Sequence, residues 1–123
     1  MLYVMVGIGG AVGAMLRHGL SGWAMGLLGS GFPYGTLMVN VTGSLLIGAV
    51  LQAGMERMLL SPEVRVLLTT GFCGGLTTFS TFSWETLNLL ERAQWGHALL
   101  NVGLNVVVCL LAVWVGMILA RAI

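Results

Sequence analysis

The chain has no lysine and no aspartate among its 123 residues. All formal charge rests on five arginines (17, 57, 65, 92 and 121) and four glutamates (56, 63, 85 and 91). Charged residues make up 7% of the chain and hydrophobic residues 58%. Soluble domains carry roughly 25% charged residues, so too few are present to cover a water-facing surface. The composition describes one integral membrane domain spanning residues 1–123. The net charge of +1 offers no electrostatic footprint for nucleic acid. Cysteine is scarce too. Cys73 and Cys109 lie in apolar stretches with no metal-ligand spacing and no disulfide framework, and they read as small buried hydrophobes. His18 and His97 fall in separate segments and read as interfacial. No nucleophile–base pair is available, so the chain is not expected to be an enzyme. The N-terminal run MLYVMVGIGGAVGAMLR lacks a basic region ahead of its apolar stretch, and it is expected to be a retained first helix rather than a signal peptide.

What is present is long apolar sequence punctuated by charge. Residues 18–55, 66–84 and 93–120 carry none, counting His18 as neutral. A spanning helix needs about 20 apolar residues. The first stretch is too long for one span, and GSGFPYG at 29–35 divides it with turn-forming Gly and Pro. The reading is four transmembrane helices at about 3–28, 33–55, 63–91 and 95–121. Ser61, Pro62 and Glu63 form a helix start: an N-cap, a first-turn proline, and an acid at the positive end of the dipole. With four spans, Arg57, Arg65 and Arg121 share one side, against Arg92 and, if it lies near the end of the first helix, Arg17. So weak a bias permits insertion in both orientations. Gly9 and Gly13, Gly22 and Gly26, and Gly71 and Gly75 are each four apart, the spacing that allows close helix approach in lipid, within one chain or between copies. Four short helices make a thin bundle, which favours an oligomer.

Polar residues inside a bilayer are costly and usually face a cavity or another helix. The densest cluster is GFCGGLTTFSTFSWE at 71–85, with five hydroxyl residues between Thr77 and Ser83. Two arrangements fit it. A helix break would free backbone carbonyls, tolerated at depth only when buried in protein or lining water, and suited to a cation. An unbroken helix would bond its hydroxyls back to the preceding turn. Phe79 and Phe82 share a face by their spacing. They are either ordinary apolar contacts or ring edges that solvate an anion beside the Ser80, Thr81 and Ser83 hydroxyls. Asn40, and Asn101 with Asn105, offer amide donors either to other helices or to an ion, and Thr36, Thr42 and Ser44 could join either arrangement. Arg17 can snorkel, pair with a glutamate, or draw anions into a vestibule, and Glu85 can pair or sit at a pore mouth. Neutral donors, aromatic edges and one arginine, without an acidic pair, suit a passive anion route better than a pump.

GFCGGLTTFSTFSWE, with GTLMVNVTGSLLIG at 35–48 and GGAVGAMLRH at 9–18, closely resembles the Fluc (CrcB) family of fluoride channels over the whole chain. The resemblance implies an all-α membrane protein with its third helix broken near the middle. It implies an antiparallel, dual-topology homodimer in the bacterial inner membrane that exports fluoride passively and confers fluoride resistance. Phe79 and Phe82 resemble the pore phenylalanines and Asn40 the pore asparagine. Ser80, Thr81 and Ser83 match polar-track donors, and Arg17 and Glu85 match vestibule residues. Gly74 and Thr77 resemble the pair whose backbone carbonyls hold a structural sodium ion on the dimer axis. The chain departs in the fourth helix, where Cys109 stands for serine and Asn105 for histidine in some relatives. A small multidrug transporter would need an acid in helix one, where this chain has only Arg17. A scaffold subunit would leave the FSTF cluster without purpose. Dual insertion predicts that a cysteine added near the C-terminus is labelled from both sides of the membrane; one-sided labelling would reject it.

Overall fold

In the computed structural model, which describes residues 1–123, all regular structure is helical. Helix α1 spans Leu2–Leu28 and α2 spans Tyr34–Glu56. The third segment starts with α3, Pro62–Val66, and passes through a π-helical turn at Leu67–Cys73 into α4, Gly74–Leu76. After two extended residues it resumes as α5, Phe79–Glu91. Helix α6 spans Trp95–Arg121. Helices α1, α2 and α6 are each long and apolar enough to cross a membrane. Neither half of the third segment reaches the ~20 residues of a spanning helix.

Local chemistry sets the boundaries. Gly29 ends α1 with φ of 85°, a left-handed conformation that suits glycine, and its N–H donates to Met25 O. Ser61 caps α3 by accepting from the Val64 N–H, with Pro62 in the first turn and Glu63 beside it. The Thr69 hydroxyl donates to Arg65 O at 2.8 Å, the acceptor its own amide would use in a regular α-turn. That competition falls within the π-turn, where Gly74 N–H reaches back to Thr69 O. Gly74 and Gly75 remain helical, and the interruption comes later, at Thr77 and Thr78. Both threonines are β-branched and adopt extended geometry, with ψ of 158° and 121°. The Thr78 hydroxyl accepts from Thr81 N–H and so caps α5.

Two glycine seams hold the bundle. Along the first, α1 lies against the π-turn and α4. A β-carbon on Gly9 would strike Leu67 O, one on Gly13 would strike Phe72 O, and one on Gly75 would strike Gly10 O. The second seam joins α2 to α6, where Gly48 meets the Val113 carbonyl and Gly116 the Leu45 carbonyl. Gly22 and Gly26, which share the seam spacing, touch nothing within 4 Å of an added β-carbon. Spacing identifies a small face, but only a facing helix turns it into a contact. Gly13→Val is expected to lower stability by about 2 kcal/mol or more through overpacking against backbone, whereas Gly19→Ala, which has open space, leaves the melting temperature unchanged or raised. Thermal unfolding of the purified protein checks both.

Candidate functional site

Two cavities meet at the interruption. One, of about 750 Å³, runs along α2, α6 and the third segment, and its lining includes Asn40, Gly74, Thr77, Phe79, Phe82 and Asn105. The other, of about 530 Å³, lies toward the α1–α2 loop, with Arg17, His18, Thr36, Thr81, Glu85 and Arg92 in its wall. Thr78 lines both.

At the interruption, one side chain from α2 replaces backbone bonding. Asn40 Oδ1 accepts the Thr78 N–H at 2.8 Å, and Asn40 Nδ2 donates to Thr78 O at 3.2 Å. The same Nδ2 donates to Asn105 Oδ1 on α6 at 3.0 Å. Both Asn40 donors are thus in use. In a continuous helix the Thr78 N–H would bond Gly74 O, so its diversion to Asn40 takes that donor away from the Gly74 carbonyl. Thr77 O lies 3.5 Å from the Arg17 guanidinium, a long contact. Gly74 and Thr77 offer neutral carbonyl oxygens, the donor type that hard cations take. No group of three or more His, Cys, Asp or Glu is placed to hold a metal, so a cation here would rest on backbone oxygens, and the donor set fits one.

Phe79 and Phe82 lie on one face of α5, with ring centroids 5.4 Å apart and planes inclined by 51°. Phe82 is buried, while Phe79 is 80% exposed in the single chain. Both rings border the larger cavity. The hydroxyl cluster divides. Ser83 donates to Phe79 O at 2.8 Å, the local bonding of an uninterrupted helix. Ser80 Oγ and Thr78 Oγ1 lie 3.3 Å apart. Ser80 and Ser83 line neither cavity, and Thr81 lines the smaller. In the smaller cavity the Thr36 hydroxyl donates to the Glu85 carboxylate. Arg17 and Glu85 share this space, yet Arg17 turns to backbone and Glu85 to a hydroxyl.

A family model described as "CrcB-like protein, Camphor Resistance (CrcB)" matches residues 4–117. The chain belongs to the CrcB family. A relative from Trichlorobacter lovleyi is 51% identical over 113 residues, covering 92% of this chain and 90% of the relative. One from Geotalea daltonii is 48% identical over 120 residues, covering 98% and 97%. One from Geobacter metallireducens is 48% identical over 118 residues, covering 96% and 95%. Each carries the name "Fluoride-specific ion channel FluC".

In this CrcB-family chain the structure gathers Asn40, Gly74, Thr77, Phe79 and Phe82 at one cavity and Arg17, Thr81 and Glu85 at the other. Thr78 carried no role of its own in the sequence reading, although threonine is a common N-cap residue. Thr36 emerges as the partner of Glu85, across 49 positions that no local pattern links. Asn40→Leu leaves the Thr78 N–H and C=O without their partner, and the melting temperature is expected to fall by an amount equivalent to about 1–3 kcal/mol. An unchanged melt would mean the pairing contributes nothing.

Proposed function

We propose that this chain is a fluoride-selective channel of the bacterial inner membrane that lets fluoride leave the cytoplasm passively and so confers fluoride resistance. The observation that carries the reading is the paired Phe79 and Phe82 rings beside the interruption, at a cavity that Asn40 and Asn105 also line, in a chain whose relatives bear the fluoride-channel name. A fluoride ion entering the bilayer loses hydration. Arg17 and Arg92 at the smaller cavity raise the local anion concentration. Ring edges of Phe79 and Phe82 then replace water with weak, closely spaced positive contacts, with Thr81 at the smaller cavity and the exposed Ser80 as hydroxyl donors, while Ser83, the third hydroxyl of the expected track, is committed to Phe79 O. Weak multiple contacts let the ion leave as readily as it enters. Asn40 borders the same path through its hold on Thr78.

The working unit in this reading is an antiparallel, dual-topology homodimer. Supporting it, Phe79, Ser80 and Gly74 are exposed in the single chain, and the larger cavity adjoins them. A second copy would close the cavity and give the phenylalanines an opposite wall. Gly74 and Thr77 carbonyls from both copies would hold a structural sodium ion, four oxygens in all, tying the two interruptions together. With Arg17 drawing on Thr77 O, the Gly74 carbonyl is the freer of the two ligands.

The test is anion efflux from liposomes holding only this protein, read with fluoride and chloride electrodes. The expected outcome is rapid fluoride loss with chloride retained. Phe79→Ile and Phe82→Ile are each expected to slow fluoride loss by about tenfold or more, the effect of a barrier raised by ~1.4 kcal/mol, with the elution volume unchanged. Retention of both ions by a correctly folded protein would reject the channel; full activity in both variants would reject the aromatic path.

A further inference from the structure

One hydrogen-bond chain leaves the interruption, crosses α2 and α6, and returns to the phenylalanine turn. Thr78 N–H donates to Asn40 Oδ1 at 2.8 Å. Asn40 Nδ2 donates to Asn105 Oδ1 at 3.0 Å. Asn105 Nδ2 donates to Asn101 Oδ1 at 3.0 Å, and also to Asn101 O at 2.9 Å. Asn101 Nδ2 donates to Thr86 Oγ1 at 3.0 Å. The Thr86 hydroxyl donates to Phe82 O at 2.8 Å. Every link donates in the same direction, from Thr78 to Phe82, and aligned bonds of this kind polarise one another. One end is the N-cap of α5 and the other lies in its first turn, the turn that carries both phenyl rings.

We propose that Thr86, Asn101 and Asn105 are positioning residues that fix the first turn of α5, and with it the Phe79 and Phe82 rings, from behind. Asn101 is fully buried and Asn105 is 7% exposed. Thr86 and Asn101 line neither of the two cavities, so they reach the ion path only through this chain. The polarity also explains why amides occupy the middle positions. Each must accept on one side and donate on the other, as one carboxamide does. A leucine supplies neither function and an ionised carboxylate only accepts. The need for external positioning follows from the packing. The glycine seams grip α1, α2, α4 and α6 backbone to backbone, whereas α5 takes no part in either seam. The consequence for fluoride rests on the channel reading above; the positioning itself does not.

The experiment compares the full chain with Thr86→Val, Asn101→Leu and Thr86→Ser in lipid nanodiscs by amide hydrogen exchange, and in liposomes by fluoride and chloride efflux. Thr86→Val and Asn101→Leu are each expected to raise exchange in the 77–83 segment by about tenfold, a local opening, while exchange in α1 stays at the wild-type level. Fluoride efflux falls several-fold and selectivity over chloride narrows. A double variant carrying both Thr86→Val and Asn101→Leu is no worse than either single variant, because one cut suffices to break a chain. Thr86→Ser keeps the hydroxyl and retains both readouts. Unchanged exchange at 77–83 in both disruptive variants overturns the proposal. So does faster exchange there with fluoride efflux and selectivity intact, and so does loosening spread equally through α1. A wild-type protein that retains fluoride fails the channel reading instead, and the exchange comparison then decides the positioning claim alone.

Discussion

Backbone amides and carbonyls inside a bilayer must find partners in the protein, because hydrocarbon supplies none. The third segment violates the simplest solution, a continuous helix, at Thr77 and Thr78. The structure answers with Asn40, whose carboxamide pairs with both the N–H and the C=O of Thr78 as a neighbouring strand would. Much else follows from that exchange. The Gly74 carbonyl loses its helical donor, and α5 begins afresh with Thr78 as its cap. The two cavities meet at the same residue. A polar side chain in α2 is thus a condition for having a site at all.

The rest of the bundle is built by a different force. Along α1 against the π-turn and α2 against α6, glycines bring backbones into direct contact. Apolar side chains gain little by meeting one another in lipid, which is itself apolar, so close backbone packing carries helix association there. These seams are rigid because any β-carbon within them meets a carbonyl. Helix α5 stands outside them. It is located by hydrogen bonds to side chains of α2 and α6, which are directional and specific in their polarity. The segment that carries the phenyl rings is therefore oriented by chemistry distinct from that of the scaffold.

The two cavities differ in character, and the difference suits passive anion movement. The smaller holds Arg17, Arg92 and the Thr36–Glu85 pair. The larger is bordered by the Phe79 and Phe82 rings, and the amides in its wall are already bonded within the protein. In the proposed channel, an anion moving between them would pass from charge attraction to weak neutral contacts. Phe79 and Gly74 are exposed on the single chain, which is why a second copy enters the proposed function.

The membrane class, the four segments and their turns were legible in sequence because each depends on local composition: charge at 57, 65, 92 and 121, Gly29 and Pro33 between α1 and α2, and Ser61–Pro62 at the start of α3. The hydroxyl and phenylalanine cluster drew attention to the candidate site for the same reason, since unusual chemistry in an apolar run shows without a fold. The position of the interruption did not follow from the glycines: Gly74 and Gly75 are both helical, and α1 packs directly against Gly75. Nor could sequence separate the glycine pair at 9 and 13, which meets a helix, from the pair at 22 and 26, which does not. The partners of Asn40, Glu85 and Asn101 lie 38, 49 and 15 positions away. Local pattern records what a residue can bond; which partner it meets is set by how the helices cross, and that belongs to the tertiary structure alone.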